Sequence, residues 1–178
     1  MKKIITYVVA ALGLVGCAGN PINVEPVTGF EAERYLGTWY EVARLDHSFE
    51  RTMTNVTANY SLNEDGTITV LNRGYKQKRG KYTNAKGKAK FVKDEETGHL
   101  KVSFFGPFYG DYILFDLDKI GYGHAFVSGG KDNYLWLLSR TPTISDALRQ
   151  DFLIKSSALG YNTENLIWVE QNEVTVSQ

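Results

Sequence analysis

The sequence predicts an all-β fold: an eight-stranded antiparallel up-and-down β-barrel, followed by a C-terminal α-helix and a short ninth strand. Three observations carry this. From Leu36 onward, short runs rich in β-branched and aromatic residues alternate in polarity with a period of two. Turn residues, such as NEDG at 63–66, separate those runs at short intervals, and after Arg140 a single segment changes to a helical stripe. Eight short strands in succession, joined mostly by tight turns, favour closure into a barrel. Composition agrees with one domain, since 43% of the 178 residues are hydrophobic, 13% are aromatic and seventeen are glycine. The 20 basic and 20 acidic side chains balance, so overall charge gives no case for nucleic acid or for an anionic membrane surface as partner.

The N-terminus is read separately from the barrel. Lys2 and Lys3 precede an apolar stretch from Ile4 to Val15, which falls short of the roughly 20 apolar residues of a membrane-spanning helix and suits a secretory signal peptide, residues 1–16. Leu14-Val15-Gly16-Cys17 closes it and resembles the lipobox of bacterial lipoproteins. That resemblance implies cleavage before Cys17, a diacylglycerol on its thiol and an acylated amine; an ordinary secreted precursor is the alternative. Two or three acyl chains, at about 0.8 kcal/mol per buried CH₂, make such an anchor lasting. In these lipoproteins an Asp after the cysteine signals inner-membrane retention, so Ala18 implies lipid anchorage at the periplasmic face of the outer membrane. Cys17 is the chain's one cysteine, which leaves no intramolecular disulfide. Residues 17–30, with two prolines and no period, read as the lipidated cysteine and a tether, and 31–178 as the barrel domain.

Within the domain, LGTWYEVARLD (36–46) is the first strand, NVTANYSL (55–62) the second and TITVLNRGYK (67–76) the third. A basic loop, KQKRGKYTNAKG (76–87), leads to GKAKFVK (87–93), where Ala89 and Phe91 oppose Lys88 and Lys90. HLKVSFF (99–105), DYILFDLD (111–118), HAFVSG (124–129) and NYLWLLSR (133–140) complete eight. Ser145 is placed as an N-cap, with Leu148, Phe152 and Leu159 on one helical stripe and Gly160 as a C-terminal stop. LIWVEQ (166–171) is the ninth strand.

Three motifs in order carry a family resemblance. Gly37-Thr38-Trp39 resembles the G-x-W signature of lipocalins at the start of the first strand. Asp118 and Tyr122, between the sixth and seventh strands, stand in the position of the T-D-Y motif, with Leu117 where threonine is usual. Arg140 ends the eighth strand. Together with the strand count and helix, the run from about Phe30 to Gln171 resembles the outer-membrane lipoprotein lipocalins of bacteria. The resemblance implies that Arg140 lies across the Trp39 indole at the closed end, a structural role, and that the barrel is hollow.

Function then belongs to the interior. Steps of two along the strands point Tyr60, Val70, Asn72, Phe91, Val102, Phe104, Tyr112, Leu114, Trp136 and Leu138 inward as candidate ligand contacts, with Val56 and Ala58 on the same parity. A filled core is the alternative for any one of them. Glu41, Asn72 and Asp116 share that parity with the phenols of Tyr60, Tyr112 and Tyr134, either to hold a headgroup or to form a wet hydrogen-bond network. Phe49, Phe108 and Tyr109 fall on loops at the end opposite Trp39, where they line an entrance or touch a partner, and the basic loop 76–88 flanks that end.

An apolar tunnel of this kind suits a fatty acid, lysophospholipid or similar amphiphile, held for transport, storage or membrane maintenance. The rivals are a carrier of a rigid ligand such as haem or a quinone, an enzyme acting on lipids, and a stress or interaction protein with a filled barrel. His47, His99 and His124 lack metal-ligand spacing and no catalytic motif occurs, so neither enzyme activity, cofactor nor metal is expected. Homodimerisation stays open.

Overall fold

The computed structural model describes residues 19–172; the signal-like segment and Cys17 lie outside the described residues. A one-turn helix α1 (Ala32–Tyr35) precedes β1 (Gly37–Arg44), β2 (Met53–Leu62), β3 (Ile68–Lys76), β4 (Lys81–Phe91), β5 (His99–Phe105), β6 (Phe108–Leu117), β7 (His124–Ser128) and β8 (Leu135–Ser139). The helix α2 (Asp146–Ala158) and a two-residue strand β9 (Ile167–Trp168) follow. Strands β1 to β8 pair antiparallel in chain order, and β1 also pairs with β8, which closes the barrel.

Closure is uneven along β1. Its first half pairs with β2 from Gly37 to Tyr40, and beyond a bulge at Glu41 its second half turns to β9 through Ala43 and Arg44. Gln171 fills the seam this opens: its Nε2 donates to the carbonyls of Glu41 at 2.8 Å and Val56 at 2.9 Å. The ninth strand and the residues after it, Glu170 and Gln171, thus complete the wall between β1 and β2.

Alternation sends side chains to two cores. The inner one gathers Trp39, Tyr60, Ile68, Val70, Leu114 and Leu138 with Phe30 and Tyr35 from the N-terminal segment. The outer one lies under α2, where Phe152 and Tyr161 cover Val42, Phe126, Leu135 and Leu137 on the barrel's outside. Strands β7 and β8 read as nearly continuous apolar runs because both their faces are buried. Helix α2 starts where the Ser145 hydroxyl accepts from the Leu148 N–H at 3.2 Å, and Gly160 follows it with φ +95°, a conformation that suits glycine.

Several expected boundaries move. The stretch 76–87 is mostly strand: only one turn of 3₁₀ helix, Gln77–Arg79, separates β3 from β4. The ribbon is exposed on both faces there and shows no apolar period, and it is held by cross-strand contacts instead, with Arg73 stacked 3.7 Å from the Tyr82 ring centre. Phe108 and Tyr109 belong to β6 rather than to a loop, because Phe105 pairs with Phe108 and leaves Gly106 and Pro107 as the whole turn. The segment read as a tether is not free over residues 20–30. Pro21 bridges Lys131, Thr28 bridges Thr97, and Val24 and Phe30 are buried.

The closed end is built on Arg140. Its guanidinium lies 3.9 Å from the centre of the Trp39 ring and donates to the carbonyls of Thr38, Arg34 and Leu36 at 2.8 to 2.9 Å. Trp39 Nε1 donates to the Tyr35 carbonyl at 2.8 Å, so α1 is stapled under the barrel as its floor. Tyr122, at φ +52°, turns its hydroxyl back to accept from the Glu31 N–H at 2.9 Å. Lysine has one donor point and no planar face, so Arg140→Lys should lower stability by about 1–3 kcal/mol. Thermal unfolding reads that loss, and ligand affinity should not change with it.

Asp118 organises the neighbouring turn. Its carboxylate accepts from the N–H groups of Gly121 at 2.9 Å, Gly123 at 3.1 Å and Ile120 at 3.1 Å, and these backbone bonds hold its pKa below the ordinary value. A depressed carboxylate stabilises the fold above its unfolded pKa of about 3.9 and loses that contribution as pH falls through the folded value. Asp118→Asn should therefore cost about 1 kcal/mol at neutral pH, with a gap to the parent that narrows below about pH 4. Urea midpoints across pH give the comparison.

Candidate functional site

The barrel is hollow towards the end opposite Trp39, with a cavity of about 420 Å³, within the range of about 300–1,000 Å³ typical of small-molecule sites. Strands β2 and β3 supply Ala58, Tyr60, Val70 and Asn72 to its wall; β5 and β6 supply Val102, Phe104 and Tyr112; β8 supplies Trp136 and Leu138. Eight of the ten inward residues proposed from alternation therefore line one space. Phe91 and Leu114 do not. Both have the inward parity but lie lower on their strands, within the core at the closed end, where Phe91 meets Phe30 at 6.2 Å between rings and Leu114 is fully buried. Parity reports which way a side chain points; it does not report where along the strand the hollow stops.

Asp116 departs from its expected side. The β6–β7 register shifts between Leu114 and Asp116, and one extra residue turns the carboxylate out to Lys155 of α2 at 2.6 Å and His124 at 3.7 Å. Burial acts to raise its pKa, but these two partners outweigh it and the carboxyl is held below its ordinary value.

The polar groups of the interior occupy three places. At the bottom, the Tyr112 hydroxyl joins those of Tyr35 at 2.6 Å and Tyr60 at 2.8 Å, a chain of phenols whose burial pushes all three above the ordinary tyrosine range. On one wall, Asn72 Oδ1 is buried without a partner. Near the mouth, Arg44, Glu41, Glu50 and His47 form a buried ionic cluster in which both carboxylates line the cavity.

That cluster is held by the chain on either side of it. Arg44 donates to Glu41 Oε1 at 2.6 Å and to the carbonyls of Glu50 at 2.9 Å and Met53 at 3.2 Å, which fixes the β1–β2 connection over the rim. His47 Nε2 stands 3.0 Å from Glu50 Oε2, and Trp136 Nε1 donates to the same oxygen at 3.3 Å. Burial and the adjacent Glu50 charge raise the Glu41 carboxyl well above its ordinary value against the pull of Arg44. Glu50 faces the same burial, but His47, Trp136 and Arg44 together hold it lower. Two carboxylates of unlike proton affinity thus stand side by side at the entrance, Glu41 against Arg44 and Glu50 against His47 and Trp136.

The entrance lies between the β1–β2, β5–β6 and β7–β8 connections. Phe49, Tyr109, Gly129 and Tyr134 line it, with Asp111 and Lys131 as its charged members. Of these rim residues alternation gives Tyr134, and Phe49 and Tyr109 are legible as large aromatics in unusual places, whereas Gly129, Asp111 and Lys131 carry neither signal. Among the described residues no histidine, cysteine or methionine lines the cavity, and no group of three metal-ligating side chains comes together.

The described architecture and the sequence agree with known proteins. A family model described as a lipocalin-like domain matches residues 30–171. The chain belongs to the lipocalin family. Among related lipocalins, the outer membrane lipoprotein Blc of Vibrio cholerae is 52% identical over 95% of this chain and 99% of its own. The protein of the same name from Escherichia coli K12 is 47% identical over 96% of this chain and 97% of its own. The lipocalin barrel extends to distant proteins: insecticyanin from the tobacco hornworm superposes with a TM-score of 0.71 at 19% identity, covering 89% of each chain.

Proposed function

We propose that this lipocalin is an outer-membrane lipoprotein, anchored through Cys17, that binds a fatty acid, lysophospholipid or similar single-chain amphiphile for transport, storage or membrane maintenance. The observation that carries this is the cavity itself, about 420 Å³ with a mainly apolar lining, set above the Tyr35 and Trp39 core of the closed end and with charged residues at its rim. In this reading an acyl chain takes the apolar lining and its head the rim, where Lys131 is the basic residue of the lining. The names of the relatives from Vibrio cholerae and Escherichia coli support the outer-membrane anchor.

Binding by desolvation needs no chemistry. Ten methylenes contribute about 8 kcal/mol, comparable to the roughly 4–15 kcal/mol that association costs in lost freedom. Affinity should therefore rise with chain length. Trp136 spans wall and rim, and its indole is half-buried against the cavity. Titrating a long-chain fatty acid and a lysophospholipid into the parent and into Trp136→Ala tests the reading. The substitution should weaken both by about 10- to 100-fold, the equivalent of roughly 1.5–3 kcal/mol of buried side chain. Equal affinity in the two proteins would remove Trp136 from the pocket, and no binding by either would remove the amphiphile.

A further inference from the structure

The two ends of the barrel differ in where the chain arrives, in exposed apolar surface and in charge. The N-terminal segment reaches the barrel at the rim of the mouth. Asn20 to Ile22 runs beside the β7–β8 connection: the Ile22 N–H donates to the Gly130 carbonyl at 3.0 Å, the Asp132 N–H to the Asn20 carbonyl at 2.9 Å, and Asn20 Nδ2 to Asp132 Oδ2 at 2.8 Å. Gly129 and Lys131 of that connection line the cavity. Cys17 precedes Asn20 by three residues, so its Cα lies within about 11 Å of Asn20 whatever path the chain takes. An anchor at Cys17 therefore holds the protein by its mouth.

Exposed aromatic surface gathers at that end. Phe105 and Phe108 face each other across the β5–β6 turn and are 80% and 81% exposed, and Phe49 on the β1–β2 connection is 50% exposed. Large aromatics left in water together mark a contact surface. Charge then separates the ends, although it balances overall. The tip of the β3–β4 ribbon carries Lys76, Lys78, Arg79 and Lys81 with no acidic residue between them, and the β1–β2 and β7–β8 connections add Arg51 and Lys131 against Asp46, Glu50 and Asp132, which leaves the mouth net basic. The closed-end turns carry Glu64, Asp65, Asp94, Glu95, Glu96 and Asp118 against Lys93 and Lys119.

We propose that the mouth docks on the phospholipid bilayer that holds the anchor, with Phe105 and Phe108 seated in its interfacial layer and the basic ribbon tip against lipid phosphates. This rests on the reading of Cys17 as the anchor. Aromatic residues favour the boundary between headgroups and acyl chains, and each basic side chain near an anionic surface adds to the attraction. The acidic closed end is repelled and points away. The cavity then opens onto the membrane itself, and an amphiphile passes between bilayer and barrel without crossing water.

The test uses the full lipidated protein in vesicles of phosphatidylethanolamine and phosphatidylglycerol, made with ordinary or with brominated acyl chains, which quench indole fluorescence at close range. Phe108→Trp places an indole at the mouth and Ile120→Trp, at a 91% exposed position of the closed end, serves as the control. Most of the emission added by Phe108→Trp should be lost in brominated vesicles, and that added by Ile120→Trp should be unchanged. Protein that floats with vesicles but shows no quenching of the Phe108→Trp signal overturns docking, including the case where crosslinking finds the aromatics buried between two copies. Protein that does not float overturns the anchor, and docking with it.

Discussion

Arg44→Met should lower the free energy of unfolding by about 3–5 kcal/mol, the largest loss expected from one substitution in this barrel. The guanidinium is 1% exposed and is the partner of Glu41 at 2.6 Å. It also donates to the carbonyls of Glu50, in the β1–β2 connection, and of Met53, at the start of β2. Removing it leaves the buried Glu41 carboxyl and two carbonyls without their donor. Urea unfolding measures the loss. Adding Glu41→Leu to Arg44→Met should recover part of it, because the stranded acid is then gone while the carbonyls stay unpaired. A double variant no more stable than the single one would mean that the carbonyl contacts, rather than the ion pair, are what Arg44 supplies.

Ala58→Trp should abolish binding of a long-chain fatty acid, with a loss of more than about a hundredfold, and leave thermal stability near that of the parent. Ala58 faces the cavity from β2, between Trp39 on β1 and Asn72 on β3. An indole there grows into empty space rather than into packed atoms, so the usual penalty for overpacking, about 1–3 kcal/mol, does not arise in full. The ligand loses the volume that the indole takes. Retained binding would place the ligand outside the barrel, and loss of folding would show that the well is narrower than its lining residues indicate.

The barrel was legible in the sequence because its two cores impose period two on strands with one solvated face, as at Ala89 and Phe91 against Lys88 and Lys90. The helix was legible for a similar reason, from Ser145 at its cap and Phe152 on its buried stripe. Legibility failed where neighbours, not periodicity, fix the chain. Residues 77–91 form a ribbon whose first half buries no face, so its strand shows no pattern. A single bulge in β6 turned Asp116 from the interior to α2. Segment 20–30 lacks any period, yet its backbone pairs with Lys131 and Thr97, partners too distant in sequence to be inferred. Of the site, the wall followed from parity and the rim did not, since Glu50, Asp111 and Lys131 reach the cavity from or beside turns. The Arg44 cluster needed the bend of the β1–β2 connection, which nothing in residues 45–52 announces.

Native mass spectrometry of the protein extracted from membranes, with the bound molecule released and identified, tests the central claim most directly. The account predicts a lipidated Cys17 and one fatty acid or lysophospholipid per barrel, displaced by added amphiphile of the same class. An empty barrel that also refuses added fatty acid and lysophospholipid, or a barrel that holds a rigid ring system instead, would contradict it.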